Sequence, residues 1–191
     1  MTWPSVSRCA DTFRCTESVL VWDPKARALR EQRTYGAAPS SRGLHAAAAA
    51  DDHTLVVFGG AAKDGTMCND AFALDTRTWK WRQLSAGSAK APSARAGACA
   101  APLPGGGGIV VCCGAGQGDG GLVPRADVWA LTLDGEWSMI LGEDAPGAPG
   151  ARNAATLTPI CTAGSLLLHG GWRPFVSTYH DSHLLKLRGL D

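Results

Sequence analysis

The chain has 191 residues, 45% of them hydrophobic, and its 18 Lys and Arg residues against 17 Asp and Glu residues leave a net charge of +1. This balance argues against a nucleic-acid partner held by a broad basic surface. No stretch approaches the 18 or more apolar residues of a membrane span, and the N-terminus lacks the apolar core of a signal peptide. We therefore expect a cytoplasmic protein without a membrane partner.

The first part of the chain divides into a segment without internal counterpart and a pair of strands. Residues 1–16 match nothing that follows. Residues 17–41 contain two predicted strands, at 18–23 and 28–34, which correspond to the last two strands of the repeat unit described below.

A repeated motif begins after these strands. The pattern Pro-x-x-Arg ends at Arg42, Arg95 and Arg152, so successive arginines are 53 and 57 residues apart. A self-similar period near 50 residues is typical of a repeat in which each unit forms one small sheet. The motif divides the rest of the chain into units at 42–94, 95–151 and 152–191.

Each unit opens with a run of small residues, at 45–50, 96–101 and 153–157. Alanine favours helix, but runs this short do not form stable helices, and small side chains suit an inner strand beside a central axis. A compact apolar run follows in each unit, which we interpret as a strand buried on both faces. These second strands are predicted at 54–58, 108–113 and 165–169.

Glycine closes the second strand, where it permits a positive φ or a close backbone approach. The closing pairs are Gly59-Gly60 and Gly170-Gly171, and the middle unit has Gly114-Ala115, with one glycine lost. Third strands are predicted at 69–75, 126–134 and 180–187. A fourth strand carries Trp81 in the first unit and Trp137 in the second, and we expect each indole to lie across the next blade as a wedge.

In this register the chain resembles kelch repeats of the subtype that runs Pro-x-x-Arg-x-x-His, apolar strand, Gly-Gly, Asn-Asp and Trp. The unit at 42–94 matches almost completely, for example at His45, Asn69 and Asp70, and the resemblance covers roughly residues 17–188. It implies an all-β fold, a partial β-propeller with about three four-stranded antiparallel blades plus a half blade. The predicted strands number 13, about half of a kelch ring, and 152–191 is expected to be an incomplete blade.

Seven cysteines occupy positions 9, 15, 68, 99, 112, 113 and 161, and no Cys-x-x-Cys pair occurs. We interpret them as small buried thiols and expect no cofactor and no metal site, with a Cys9–Cys15 bridge left open. Cys112 and Cys113 are adjacent on a predicted strand, so their side chains are expected to point to opposite faces.

The loops between second and third strands differ most between units, at 61–68, 116–125 and 172–179. The last of these concentrates aromatic and arginine side chains, which are the residue types of interface hot spots. We therefore predict a partner-binding patch, with packing over the blade's own hairpin as the alternative. Its members are Trp172, Arg173, Phe175 and Tyr179, with Arg125 from the preceding unit.

The repeated arginines allow two interpretations. The first is structural: each of Arg42, Arg95 and Arg152 would tie a first strand to a neighbouring loop through hydrogen bonds to carbonyl oxygens. In the second, the three would form a ring of cations that meets an acidic peptide. We prefer the structural role, shared with the glycine pairs and with Trp81 and Trp137.

The sequence favours a non-catalytic scaffold that presents kelch loops to a protein partner, and open blade edges invite self-association. The alternative is a metal-dependent enzyme or small-ligand binder at the channel mouth. Its only candidate ligands are His169, His180 and His183, and the adjacent Tyr179-His180 pair is similar to a ligand pair of kelch-type copper oxidases. Those enzymes also need a cysteine-linked tyrosine that this chain does not offer.

Overall fold

A computed structural model describes residues 18–160, 164–174 and 176–187, and every regular element in these ranges is a β-strand. Segment 1–16 with Cys9 and Cys15, as well as Cys161 and Phe175, lie outside the described residues. Across the described ranges no helix has the length and apolar character needed to cross a bilayer.

The described chain begins with a two-stranded antiparallel sheet, formed by β1 (Val19–Asp23) and β2 (Ala28–Gln32). The turn between them is stabilised because the Asp23 carboxylate accepts hydrogen bonds from the backbone amides of Lys25 and Ala26. This is the strand pair predicted for the N-terminal half blade.

The second sheet holds the first complete unit. Its strands are β3 (Tyr35–Gly36), β4 (Ala46–Ala49), β5 (Thr54–Phe58), β6 (Ala71–Asp75) and β7 (Lys80–Ser85), in the spatial order β3-β7-β6-β5-β4. The four strands of the unit pair antiparallel, and the short β3 adds a parallel pairing at the outer edge. The alanine run is therefore strand, as expected.

The third sheet repeats this arrangement. It consists of β8 (Cys99–Pro102), β9 (Gly108–Cys112), β12 (Val128–Thr132) and β13 (Trp137–Leu141), in the order β13-β12-β9-β8. Between its second and third strands, the glycine-rich loop forms a separate hairpin of β10 (Ala115–Gly118) and β11 (Gly121–Pro124).

The last sheet has three strands, and a second small hairpin leaves it at the same point. The sheet is formed by β14 (Thr156–Pro159), β15 (Ser165–His169) and β18 (Ser182–Lys186), in that order. The hairpin is formed by β16 (Trp172–Arg173) and β17 (Ser177–Thr178).

All 13 predicted strands are present, and β3, β10, β11, β16 and β17 are additional. The first strands of the middle and last units start later than predicted, at Cys99 instead of residue 96 and at Thr156 instead of residue 153. The reason is tertiary: Ala96 pairs instead with Ala115, and Asn153 pairs with Trp172.

The sheets pack face to face, with the inner strands β4, β8 and β14 as neighbours. Between the second and third sheets, Val56 and Phe58 meet Ile109, Val111 and Leu131, and all five are fully buried. Between the third and fourth sheets, leucines of the last blade pack on the other face of β9 and β12. Each blade therefore shares a dry apolar layer with the next.

The tryptophan wedge is present, but its direction is opposite to the expected one. The Trp137 ring contacts the Phe58 ring edge-on, with centroids 5.0 Å apart, so it reaches the preceding blade. Trp81 packs in a buried cluster with Phe72 and Leu74, and Val19 of the preceding sheet joins it. The spacing in the sequence identified the wedge residues. Which neighbouring blade they contact is decided only by the way the sheets pack against one another.

In the middle unit, the two residues that correspond to the glycine pair also lie one position earlier than expected. They are Cys113 and Gly114, not Gly114 and Ala115. Cys113 has φ of 63°, matching 63° at Gly59 and 65° at Gly170, and Gly114 likewise matches the second glycines. Gly60 and Gly114 donate equivalent hydrogen bonds to the carbonyl oxygens of Arg95 and Arg152. A cysteine therefore occupies a left-handed backbone position, which costs a non-glycine residue on the order of 1–3 kcal/mol.

We predict that Phe58→Ala lowers the free energy of unfolding by about 3–5 kcal/mol, because it opens a cavity in the layer between two blades and removes the Trp137 contact. Urea unfolding followed by tryptophan fluorescence measures the change. Met139→Ala, at a side chain 56% exposed on β13, is the control and should be nearly neutral. A loss below about 1 kcal/mol for Phe58→Ala would contradict the packing described.

Candidate functional site

Each unit contains the same ion pair, formed by a buried arginine, at the edge where its second strand ends. The arginine of Pro-x-x-Arg donates two hydrogen bonds, in bidentate fashion, to the carboxylate of an aspartate just before the third strand. The pairs are Arg42 with Asp70, Arg95 with Asp127 and Arg152 with Asp181. The three arginines are 6%, 1% and 0% exposed. A buried guanidinium is tolerated only when it is paired and hydrogen-bonded, so these contacts are obligatory.

The remaining donors of each guanidinium go to the same backbone positions. In the middle unit, Arg95 Nη1 donates to the Cys113 carbonyl at 3.0 Å, Nε to the Ser93 carbonyl at 2.9 Å, and Nη2 to Ser93 Oγ at 3.0 Å. Arg42 repeats this pattern with the carbonyls of Gly59 and Ser40. All five N–H groups of an arginine are thereby engaged.

The last unit replaces the serine with Gly150, and a different side chain lies in its place. Arg152 Nη2 lies 3.3 Å from His183 Nε2, which also lies 2.8 Å from Asp181 Oδ2. The guanidinium in addition stacks on the Tyr179 ring, with its carbon 4.1 Å from the centroid. His183 and Tyr179 therefore belong to the contacts that bury Arg152.

The residue two positions after each aspartate supports the pair throughout. Trp129 donates its indole N–H to Asp127 Oδ2 at 2.8 Å, and Phe72 lies under the Arg42 guanidinium at 5.6 Å. His183 stands at the same place in the last unit. In the sequence, the only sign of this shared role is the equal spacing of the three residues from their aspartates. Their side chains differ in chemistry, so the role was not recognised from the sequence.

Electrostatics favours the charged form of the aspartates. Burial of the Asp127 carboxyl acts to raise its pKa, but the hydrogen bonds and charge of Arg95 outweigh it, and the pKa lies below its ordinary value. At Asp181 the hydrogen bonds from Arg152 and His183 lower the pKa well below its usual range. These geometries favour the structural interpretation of the arginines, because every N–H donor of Arg42 and Arg95 is already engaged.

The three candidate histidine ligands are not brought together. His169 lies opposite Ser182 in the ladder and its Nδ1 is 2.9 Å from Ser182 Oγ, whereas His183 lies opposite Leu168. Because neighbouring register positions face opposite sides of a sheet, His169 and His183 point away from each other. His180 is exposed before β18. The arrangement gives these histidines no shared ion position.

The predicted partner-binding residues occupy different environments. Trp172 and Arg173 are exposed on the β16–β17 hairpin, with Trp172 38% exposed. Tyr179 is only partly exposed, because it stacks on Arg152, and its hydroxyl donates to the Ala151 carbonyl. Arg125 Nη1 forms an ion pair with Glu143 at 3.1 Å. Phe175 lies outside the described residues.

Further exposed apolar side chains lie on the same edge of the blades. Antiparallel strands place the end of a second strand and the start of a first strand at one edge, so both loop hairpins emerge there. Leu122 and Val123 on β11 are 40% and 39% exposed, and Val176 is 69% exposed. We group them with Trp172 and Arg173, at the same edge of the blades, under the name hairpin face. Sequence reasoning missed Leu122, Val123 and Val176 because isolated aliphatic residues in a loop carry no signal of exposure.

A cluster of thiols is the other feature that the sequence did not indicate. Cys99, Cys112 and Cys113 are buried, and their Sγ atoms all lie within 4.8 Å of one another. The expectation that Cys112 and Cys113 face opposite sides was wrong, because the strand ends at Cys112 and Cys113 turns into the left-handed region. Their Sγ atoms are 3.0 Å apart.

The sheets, the inter-blade layers and the repeated ion pairs define a kelch-type β-propeller architecture. The family described as the KLHDC2/KLHL20/DRC7 Kelch-repeats domain matches residues 8–190, and the chain belongs to this family. Kelch-repeat domains generally act as protein-interaction scaffolds and are generally non-enzymatic.

A solved structure supports the same fold. The chain is similar to the structure of YjhT, with a TM-score of 0.70, 21% sequence identity and coverage of 91% of this chain. The chain spans only 50% of the length of that structure. A comparison with curated proteins finds no match.

We predict that Arg95→Met lowers the free energy of unfolding at pH 7 by about 3–5 kcal/mol, because the Asp127 carboxylate is left buried without its partner. In the wild type the folded-state pKa of Asp127 is depressed, so its contribution is present above an unfolded pKa of about 3.9 and lost as pH falls below it. The difference between variant and wild type should therefore shrink between pH 5 and pH 3, as estimated from that pKa.

Urea unfolding at several pH values measures this difference. Arg77→Met is the matched control, because Arg77 pairs with Asp75 at the surface with its side chain 66% exposed, and it should leave stability unchanged. A difference that stays constant with pH would show that the lost stability of Arg95→Met does not come from the ion pair.

Proposed function

We propose that this chain is a non-catalytic interaction scaffold that binds a protein partner through the hairpin face. The observation that carries the proposal is the exposure of Trp172, Arg173 and Val176 on one hairpin and of Leu122 and Val123 on the other, at the same edge of the blades. Tryptophan and arginine are the residue types that dominate binding energy at protein interfaces.

The position of these side chains supports the proposal. Each hairpin is anchored to a rigid sheet, because Arg125 pairs with Arg152 of the next blade and Asn153 pairs with Trp172. The backbone beneath the exposed residues is thereby held in place, which reduces the ordering cost of binding. Variable loops on a rigid framework are a common location for recognition residues.

A replacement at the centre of the hairpin face tests the proposal. Trp172→Ala should weaken binding of the physiological partner by at least about 2 kcal/mol, roughly 30-fold in Kd. Affinity capture from the cells that express the protein, followed by titration of the captured protein, gives the measurement. Met139→Ala is the matched control, because Met139 is 56% exposed on β13, outside both loop hairpins.

The comparison has two informative outcomes. A Kd that rises for Trp172→Ala and stays unchanged for Met139→Ala supports the hairpin face as the binding surface. Equal affinity of the wild type and Trp172→Ala, with both variants folded by circular dichroism, counts against it.

We also propose that the chain associates with a second copy of itself through outward sheet faces. Trp22 and Leu29 lie opposite each other on the first sheet and are 56% and 62% exposed, while Leu167 and Leu184 lie opposite each other on the last sheet and are 36% and 48% exposed. Exposed apolar side chains on a sheet face are typical of an interface.

Light scattering across a range of concentrations tests self-association. The wild type should show a mass above that of one chain, and Leu184→Glu should shift it towards the monomer because a charge enters the apolar face. Met139→Glu, on the exposed side of β13, is the control. A monomeric wild type with a cooperative melting transition would refute the proposal.

A further inference from the structure

The buried thiol cluster departs from the repeat at three positions simultaneously. Cys99 pairs with Cys112 in the ladder between β8 and β9, and Cys113 follows directly. The equivalent residues are Ala46, Phe58 and Gly59 in the preceding unit, and Thr156, His169 and Gly170 in the following one. The register of the blades thus places a cysteine at each of three neighbouring positions that need none for the fold.

One of the three occupies a position where a side chain is unfavourable. Cys113 adopts φ of 63°, where both other units have glycine. Strained backbone positions of this kind cluster at functional sites, which makes the Cys113 side chain a candidate for a role beyond packing. The left-handed turn is what brings Cys113 Sγ back to within 3.0 Å of Cys112 Sγ.

The positions of the three sulfur atoms suit the binding of one shared metal ion. Three donors that each lie about 2.3 Å from one ion can be at most about 4.6 Å apart. The three Sγ atoms all lie within 4.8 Å of one another, so small side-chain rotations bring them to one centre. Cys99 is 7% exposed and Cys112 and Cys113 are fully buried, which would shield a bound ion from water.

The surroundings limit the kind of ion. Among the described residues, no His, Asp or Glu joins the three thiols as a ligand. The neighbours across the blade interface are apolar, including Leu157, Leu166 and Leu168. Structural zinc sites are almost always four-coordinate, whereas soft thiolate donors select Cu(I), an ion that three sulfurs satisfy.

We propose that Cys99, Cys112 and Cys113 form a three-coordinate site for a soft monovalent cation, Cu(I), at the interface between the last two blades. Each thiol that binds loses its proton to solvent as its bond to copper forms, and copper remains Cu(I) throughout. No oxidant or reductant takes part in this step.

Two variants remove ligands with little risk to the fold. Cys113→Gly restores the residue that both other units carry at this φ, and Cys99→Ala restores the residue of the preceding unit. Cys68→Ala is the control, because Cys68 is a partly exposed thiol in another blade, outside the cluster. Circular dichroism and thermal melting establish that each variant is folded.

The experiment measures Cu(I) binding to the full chain under anaerobic conditions in a phosphine reductant, by competition with a chromophoric Cu(I) chelator. We expect one Cu(I) per chain for the wild type and for Cys68→Ala, with the luminescence of a water-shielded copper–thiolate centre. Cys113→Gly and Cys99→Ala should each bind about 100-fold more weakly or worse, because one of three ligands is lost.

Several results would overturn the proposal. These are wild-type binding no tighter than that of the two cluster variants, a site that retains Zn(II) in preference to Cu(I), or a Cys112–Cys113 disulfide that survives the reductant. Copper binding lost equally in Cys68→Ala would also do so, because that thiol does not belong to the cluster. The outcome is independent of the proposed scaffold function, which is tested at the hairpin face.

Discussion

One buried arginine in each blade holds the ends of its strands together. It binds the carbonyl at the end of the second strand, the aspartate before the third strand and the residue two positions before itself. A guanidinium buried in this way needs all of its partners, so the spacing between the arginine and each contact is constrained. The regular recurrence of Pro-x-x-Arg along the chain is the sequence expression of this constraint.

The ion pair sets the positions at which the second strand ends and the third strand begins. The loop between these two strands is therefore free to vary in sequence and conformation from unit to unit. In the middle and last units the chain between second and third strands forms a hairpin of its own, and each hairpin pairs with the following arginine segment or with its own blade. Exposed apolar side chains are thereby presented on a backbone that is fixed from beneath. The buried arginines and their contacts serve stability, and Tyr179, which stacks on Arg152, is one of these contacts.

Residues that depart from the repeat can be interpreted because the strand pairing and the ion pairs around them are the same in every unit. Gly150 removes a serine hydroxyl from the last ion pair, and His183 lies in its place, with Nε2 2.8 Å from Asp181 Oδ2 and 3.3 Å from Arg152 Nη2. In the middle unit, cysteines replace residues that differ in size and shape between the other units, yet the ladder between β8 and β9 keeps its register. The substitutions therefore change local chemistry without changing the fold.

The sequence by itself determined the period, the 13 strands of the blades, the small inner residues and the identity of the wedge tryptophans, because each of these follows from local patterns of side-chain size and polarity. Tertiary structure alone decided which blade Trp137 faces, the register of Cys113-Gly114, the opposite orientation of His169 and His183, and the meeting of three thiols from two strands. These features depend on sheet twist, on a single left-handed residue and on cross-strand pairing, which are relations between distant parts of the chain that no local pattern records.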